Sequence, residues 1–96
     1  MKIIIENQEY DLDELQINGV ELEEQEVSIL ITPYEPNMKI YTSNNDKFQE
    51  LKQNVITNPV EWKITHLDKR NGQIVSATFS APKECFSIRG VEEDEK

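Results

Sequence analysis

One cysteine, one histidine and three glycines are scattered through 96 residues, and no apolar run exceeds three. Each scarcity closes a class of chemistry. Cys85 has no second cysteine to pair with, so no intrachain disulfide and no oxidising compartment are implied. Cys85 and His66 together fall short of the ligand set of a structural zinc site, and of the three ligands plus an open position of a catalytic one. Gly19, Gly72 and Gly90 lie too far apart to build a phosphate-cradling loop. The run Ile3-Ile4-Ile5 is far short of the roughly 18 residues that span a bilayer. The first residues also lack the basic, apolar and small-residue order of a secretory leader. The expectation is a cytoplasmic protein with no membrane contact, no metal and no cofactor.

Basic residues are scarce as well, and only in one half. The net charge is -9, with 19 acidic against 10 basic side chains. Residues 1–48 hold eleven acids and three bases, and the remainder eight and seven. From Glu6 to Glu26 stand nine carboxylates and no basic residue. Such a surface repels nucleic acid and anionic lipid and attracts basic protein surfaces. Direct DNA or RNA binding would need a basic stripe, and the sequence shows none.

With 36% apolar residues and a mean hydropathy of -0.66, the chain has material for one small core. A single domain is expected over 1–91, followed by an acidic tail at 92–96. The β-branched start, Lys2 to Glu6, reads as a strand, with Asn7-Gln8 as the turn to a return strand at Glu9–Leu12. Asp13-Glu14-Leu15 reads as a loop or one helical turn, and Asn18-Gly19 as a turn. Val20 and Leu22 alternate with Glu21 and Glu23, then Val27, Ile29 and Ile31 continue in the opposite phase. A bulge or turn is therefore expected at Glu24–Glu26, because a one-residue slip moves side chains to the other face. Pro33 and Pro36 stop that strand, and Met38–Thr42 reads as another.

One helix is predicted, over about residues 45–57. Ser43-Asn44-Asn45-Asp46 supplies an S-x-x-D start, Phe48, Leu51 and Val55 form one face, and Asn58-Pro59 ends it. Beyond it, Glu61–His66 alternates with Trp62, Ile64 and His66 on one side. Asn71-Gly72 is the strongest hairpin signal, and the return strand carries Val75, Ala77 and Phe79 inward until Pro82. A last strand is expected with Phe86 and Ile88 facing the core, up to Arg89. The fold class is thus α+β: a mostly antiparallel sheet of five to seven strands with one helix on one face.

Chemistry beyond binding finds little support. His66 reads as a core-edge or cross-strand histidine, and Cys85 as an inert small side chain with only Lys83 as a nearby cation. Asp11-Leu12-Asp13-Glu14 opens like a calcium loop and then fails. Leu15, Gln16 and Leu22 stand where a ligand, a glycine and a bidentate Glu belong. No catalytic residue is assigned, and the chain reads as non-enzymatic. The candidate interaction face comprises Asp11, Asp13, Glu14, Glu21, Glu23, Glu24 and Glu26, with Tyr34 as a candidate aromatic anchor; for Tyr34, as for Tyr41, packing on the small sheet is the plainer reading. On a strand at 20–24, Glu21 and Glu23 would share a face about 6.6 Å apart. Such a row imitates phosphates and fits the basic groove of a nucleic-acid-binding protein; the plainer reading is a solvated face.

Ile40-Tyr41-Thr42-Ser43, the short helix, Asn58-Pro59, Trp62-Lys63, Gly72, Pro82-Lys83 and Ser87-Ile88-Arg89 resemble a group of small proteins. These come from phages and mobile elements of low-GC Gram-positive bacteria. The resemblance covers residues 38–90 and omits the acidic N-terminal part. It implies an accessory protein in a host bacterial cell and brings no catalytic residues with it. Three functional expectations follow: an acidic protein-binding module, an inhibitor of a host nucleic-acid-binding defence protein of the anti-CRISPR or DNA-mimic type, and a homo-oligomeric assembly protein. A homodimer is compatible with each.

Overall fold

Two tight turns set the frame. Glu6 and Asn7 take φ of 53° and 67°, and Asn71 and Gly72 take 54° and 81°. Two successive residues at positive φ give the turn whose twist matches a pair of antiparallel strands. The first turn joins β1 (Lys2–Ile5) to β2 (Gln8–Asp11), and the second joins β5 (Lys63–Arg70) to β6 (Gln73–Pro82). The computed structural model describes residues 1–85; the strand expected through Phe86, Ile88 and Arg89 and the tail at 92–96 lie outside the described residues.

Between the hairpins run β3 (Val27–Leu30), β4 (Asn37–Thr42) and helix α1 (Asn45–Thr57). β1 and β2 form a two-stranded antiparallel sheet, and the other four strands form a second, ordered β3-β4-β6-β5, antiparallel throughout. The fold is α+β, as the pattern of strands, helix and strands predicts.

The core is built where α1 meets the middle of the larger sheet. Across β4 and β6, the pairs Met38–Ala81, Ile40–Phe79 and Thr42–Ala77 are all buried. The two alanines leave room for Phe48 of α1, whose ring lies 5.6 Å from that of Phe79 at an interplanar angle of 55°. A tilted pair of this kind adds about 0.5–1.5 kcal/mol beyond the area it buries. Phe48, Leu51 and Val55 are buried together, as their spacing predicts. Ile5, Leu12, Leu15 and Ile17 bring the N-terminal segment into the same core.

Four local expectations are corrected. Residues 22–24 are a 3-10 turn rather than part of a strand, so the row of carboxylates about 6.6 Å apart does not form. The helix is capped by Asn44, whose Oδ1 accepts from the Lys47 N–H at 2.8 Å; the Ser43 hydroxyl instead accepts from the Glu26 N–H at 2.9 Å. His66 leaves the inner face because the register of β5 shifts between Ile64 and His66, which lets Leu67 take the next buried position. The first turn is Glu6-Asn7, one residue earlier than Asn7-Gln8, which keeps Ile5 on the buried side.

Asn44 does two jobs, since its Nδ2 also donates to Gln25 Oε1 at 2.8 Å. Asn44→Ala should lower stability by about 1–2 kcal/mol in urea denaturation. Asn44→Asp, which keeps the cap and loses the donor, should recover most of that.

Candidate protein interface

The eight carboxylate and tyrosine positions singled out above fall on three separate mounts. Asp11 ends β2 and Asp13 lies on the 3-10 turn Leu12–Glu14 that follows, and the Met1 amine lies 3.4 and 3.1 Å from their carboxylates. The Asp11 Oδ1 also accepts from the Asp13 N–H at 3.2 Å, and this backbone bond is the first cause holding the Asp11 carboxyl below its ordinary range. Glu14 is exposed on the adjoining 3-10 turn. Glu21, Glu23, Glu24 and Glu26 form the second group, just before β3. Tyr34 stands alone beyond β3, 93% exposed, so the packing role that suits many small-sheet tyrosines does not apply to it.

The second group is held rigidly from below. Gln25 Nε2 donates to the Val20 carbonyl at 3.2 Å, and Asn44 grips the other end of the Gln25 amide. Ser43 N–H donates to the Glu26 carbonyl at 3.0 Å, and the Thr42 hydroxyl donates to the same oxygen at 3.2 Å. The turn therefore points its side chains outward from a fixed base. Leu22 is 80% exposed in the midst of Glu21, Glu23 and Glu24. An apolar knob ringed by carboxylates fits an apolar socket with a basic rim.

From this turn the chain enters β3, an outer strand of the larger sheet that pairs only with β4 among the described residues. Val27 and Ile29 share a face with Thr42 and Ile40, their cross-strand partners, yet both are exposed. Helix α1 lies over β4 and does not extend its cover to them. Leu30, 60% exposed, points to the opposite face. Residues 27–34, Val-Ser-Ile-Leu-Ile-Thr-Pro-Tyr, hold no charge in a chain that is 30% charged. The sequence pattern alone reads Val27, Ile29 and Ile31 as a core stripe, and that reading misses this edge. The signal available was the uncharged run itself, bounded by Glu26 and Glu35.

His66 occupies a different kind of site. Its Nδ1 is 2.9 Å from Glu6 Oε2, and its Nε2 is 2.8 Å from Asp68 Oδ1. The Ser76 hydroxyl donates to Asp68 Oδ2 at 2.6 Å. A serine, a histidine and two carboxylates are thus linked, but in an order unsuited to nucleophilic catalysis. The serine donates to an aspartate rather than to the imidazole, and each ring nitrogen already faces a carboxylate, leaving no lone pair for a substrate proton. The arrangement is a clasp between the β1–β2 turn and β5. Among the described residues no three His, Cys, Asp or Glu side chains are grouped to hold a metal ion. No helix among them is long and apolar enough to cross a membrane. No protein-family model matches the chain, and neither the curated proteins nor the solved structures contain a match.

The hydrogen bond with Asp68, then that with Glu6, raises the His66 pKa above its ordinary 6.5. The Ser76 hydroxyl, then His66, holds Asp68 below its ordinary 3.8. A raised histidine contributes stability that is complete below 6.5 and fades as pH climbs through the folded-state value; a lowered aspartate contributes above 3.8 and fades in acid. The clasp is therefore strongest between these limits and weakens on the alkaline side through His66. NMR titration of His66, the only histidine, should give a pKa above 6.5, and Glu6→Gln should bring it partway down because Asp68 remains.

Proposed function

We propose that this chain is a non-catalytic protein-binding module whose contact surface is the strip from Glu21 to Tyr34. The observation that carries the reading is that no residue between Glu21 and Asn37 is buried, although the stretch holds five isoleucine, leucine or valine side chains, three of them on β3. Large apolar side chains left exposed along an open strand mark a place where another chain docks. The expected partner presents an extended apolar segment to β3 and basic side chains to Glu21, Glu23, Glu24 and Glu26. The resemblance of residues 38–90 to phage and mobile-element proteins supports an accessory role inside a host bacterial cell.

Two narrower forms of the same reading differ in the partner. A nucleic-acid-binding protein would make the chain a mimic of the anti-CRISPR or DNA-mimic type, and the four carboxylates within six residues favour it. A second copy of the chain would make it an assembly protein, and the uncharged run 27–34 favours that.

Affinity capture from host lysate at low and high salt, followed by titration of the purified partner, distinguishes these forms. Converting Glu21, Glu23 and Glu24 to Lys should weaken a basic partner by at least about tenfold and flatten the salt dependence. Leu30→Lys should weaken any partner that lies along β3. A captured partner whose affinity is indifferent to both changes would refute the strip as the contact. DNA that competes for the partner would select the mimic form.

A further inference from the structure

The smaller sheet meets the larger one along β5, where Lys69 Nζ lies 4.9 Å from the Tyr10 ring centre. At the first hairpin turn, Glu6 reaches β5 through His66, and its Oε1 accepts from the Leu67 N–H at 3.5 Å. At the other end, a cleft of about 400 Å³ opens between the start of β1 and the start of β5. No strand pairing closes it: β1 pairs only with β2 and β5 only with β6 among the described residues. Both strands line the cleft, and each has one backbone edge without a ladder partner among the described residues; such edges present alternate N–H and C=O groups.

The lining is apolar and, for this protein, oddly charged. Ile3, Ile4, Trp62 and Ile64 contribute apolar surface, and Ile4 is 73% exposed. Lys2 and Lys63 also line the cleft, and no carboxylate does, in a chain of net charge -9. Its size falls within the range of pockets that take a small ligand or a few residues of peptide.

We infer that this cleft is a second docking site, independent of the β3 strip, for an extended apolar peptide segment that carries a carboxylate. The three parts of that description answer three features of the cleft. Unpaired strand edges hydrogen-bond an extended backbone, and the isoleucines and Trp62 receive an apolar side chain. Lys2 and Lys63 select a carboxylate over an ammonium at the end of the segment, where the acidic remainder of the surface would select the reverse. The site therefore has the opposite charge preference to the acidic turn at Glu21–Glu26, and the two can hold different segments.

Trp62 is the only tryptophan and lines the cleft, so its fluorescence reports occupancy directly. The probe is an acetylated hexapeptide, Thr-Val-Ile-Val-Thr-Glu with a free C-terminus, against an amidated control ending in Lys. A saturable change in Trp62 emission is expected, with the Lys control weaker by about tenfold. The Lys2→Glu, Lys63→Glu double variant should reverse that preference, with its far-UV circular dichroism showing that the fold is kept. N-methylating the central peptide bonds should abolish binding. No saturable change, equal affinity for the two peptides, or full binding of the N-methylated peptide would each overturn the inference. So would a Trp62 change with protein concentration alone, accompanied by dimer in sedimentation, which would assign the cleft to a second copy. Ile29→Lys on β3 should leave the titration unaltered, which separates this site from the other.

Discussion

Helix α1 serves two partners at once, and the placement of everything outside the larger sheet depends on that. Its apolar face drives Phe48 onto Phe79, between the alanines of β6. Its flank carries Asn45, Gln49 and Lys52, which satisfy the backbone of the segment that follows the first hairpin. Asn45 Oδ1 accepts from the Ile17 N–H at 2.9 Å, and both Gln49 Nε2 and Lys52 Nζ donate to the Leu15 carbonyl, at 3.2 and 3.1 Å. Lys52 is buried with no carboxylate partner among the described residues; its ammonium donates to a carbonyl and lies 6.0 Å from the Phe48 ring centre. Burial of an ammonium is costly unless its donors are used. The contact is tolerable because the Leu15 carbonyl oxygen has two lone pairs and accepts from both Gln49 and Lys52, and the aromatic face adds a further weak attraction.

That polar flank decides where the acidic surface goes. With residues 15–17 tied to the helix, and the Asn18 N–H donating to the Ile74 carbonyl at 2.8 Å, the chain from Val20 must return to the start of α1. There Ser43 and Asn44 receive it through Glu26 and Gln25. The carboxylates of 21–26 thus gain a rigid base, while Asp11 and Asp13 are held elsewhere by the Met1 amine. One acidic run in the sequence becomes two distinct surfaces, and the one beside β3 adjoins a strand whose Val27, Ile29 and Leu30 are all exposed.

Much of this architecture is legible in the residues, and the failures share a cause. The helix, the Asn71-Gly72 turn and the inward Ala77 and Phe79 of β6 are local: spacing, positive φ and alternation determine each within a few residues. The expected inward Val75 falls at a register shift, and Ile74 packs against the core instead. Asn44 takes the cap expected of Ser43 because the Ser43 hydroxyl is claimed by the N–H of Glu26, seventeen positions earlier. His66 is misplaced because a bulge resets the phase of β5, and phase after a bulge cannot be read from alternation. Val27, Ile29 and Ile31 have the pattern of a core strand; whether such a strand is covered depends on how far the helix reaches across the sheet. The residues of the acidic face are visible in the sequence. Their division into two groups is a tertiary result.

An outer strand without charge normally invites copies of itself, and proteins usually place a lysine, a bulge or a proline on such a strand. β3 has none of these within Val27–Leu30, so its protection has to come from outside the strand. The flanking Glu26 and Glu35, and behind them the net charge of -9, repel a second copy approaching edge to edge. The strand spans about 13 Å, and at physiological salt the screening length is about 8 Å, so charge at both ends reaches most of its length. The same field draws in a basic segment. Charge that acts along the whole edge therefore discriminates by partner sign, which a single gatekeeping lysine on the strand would not do. On the proposed reading, the acidic surface around the open apolar edge weighs against the second-copy form and towards a partner of opposite charge.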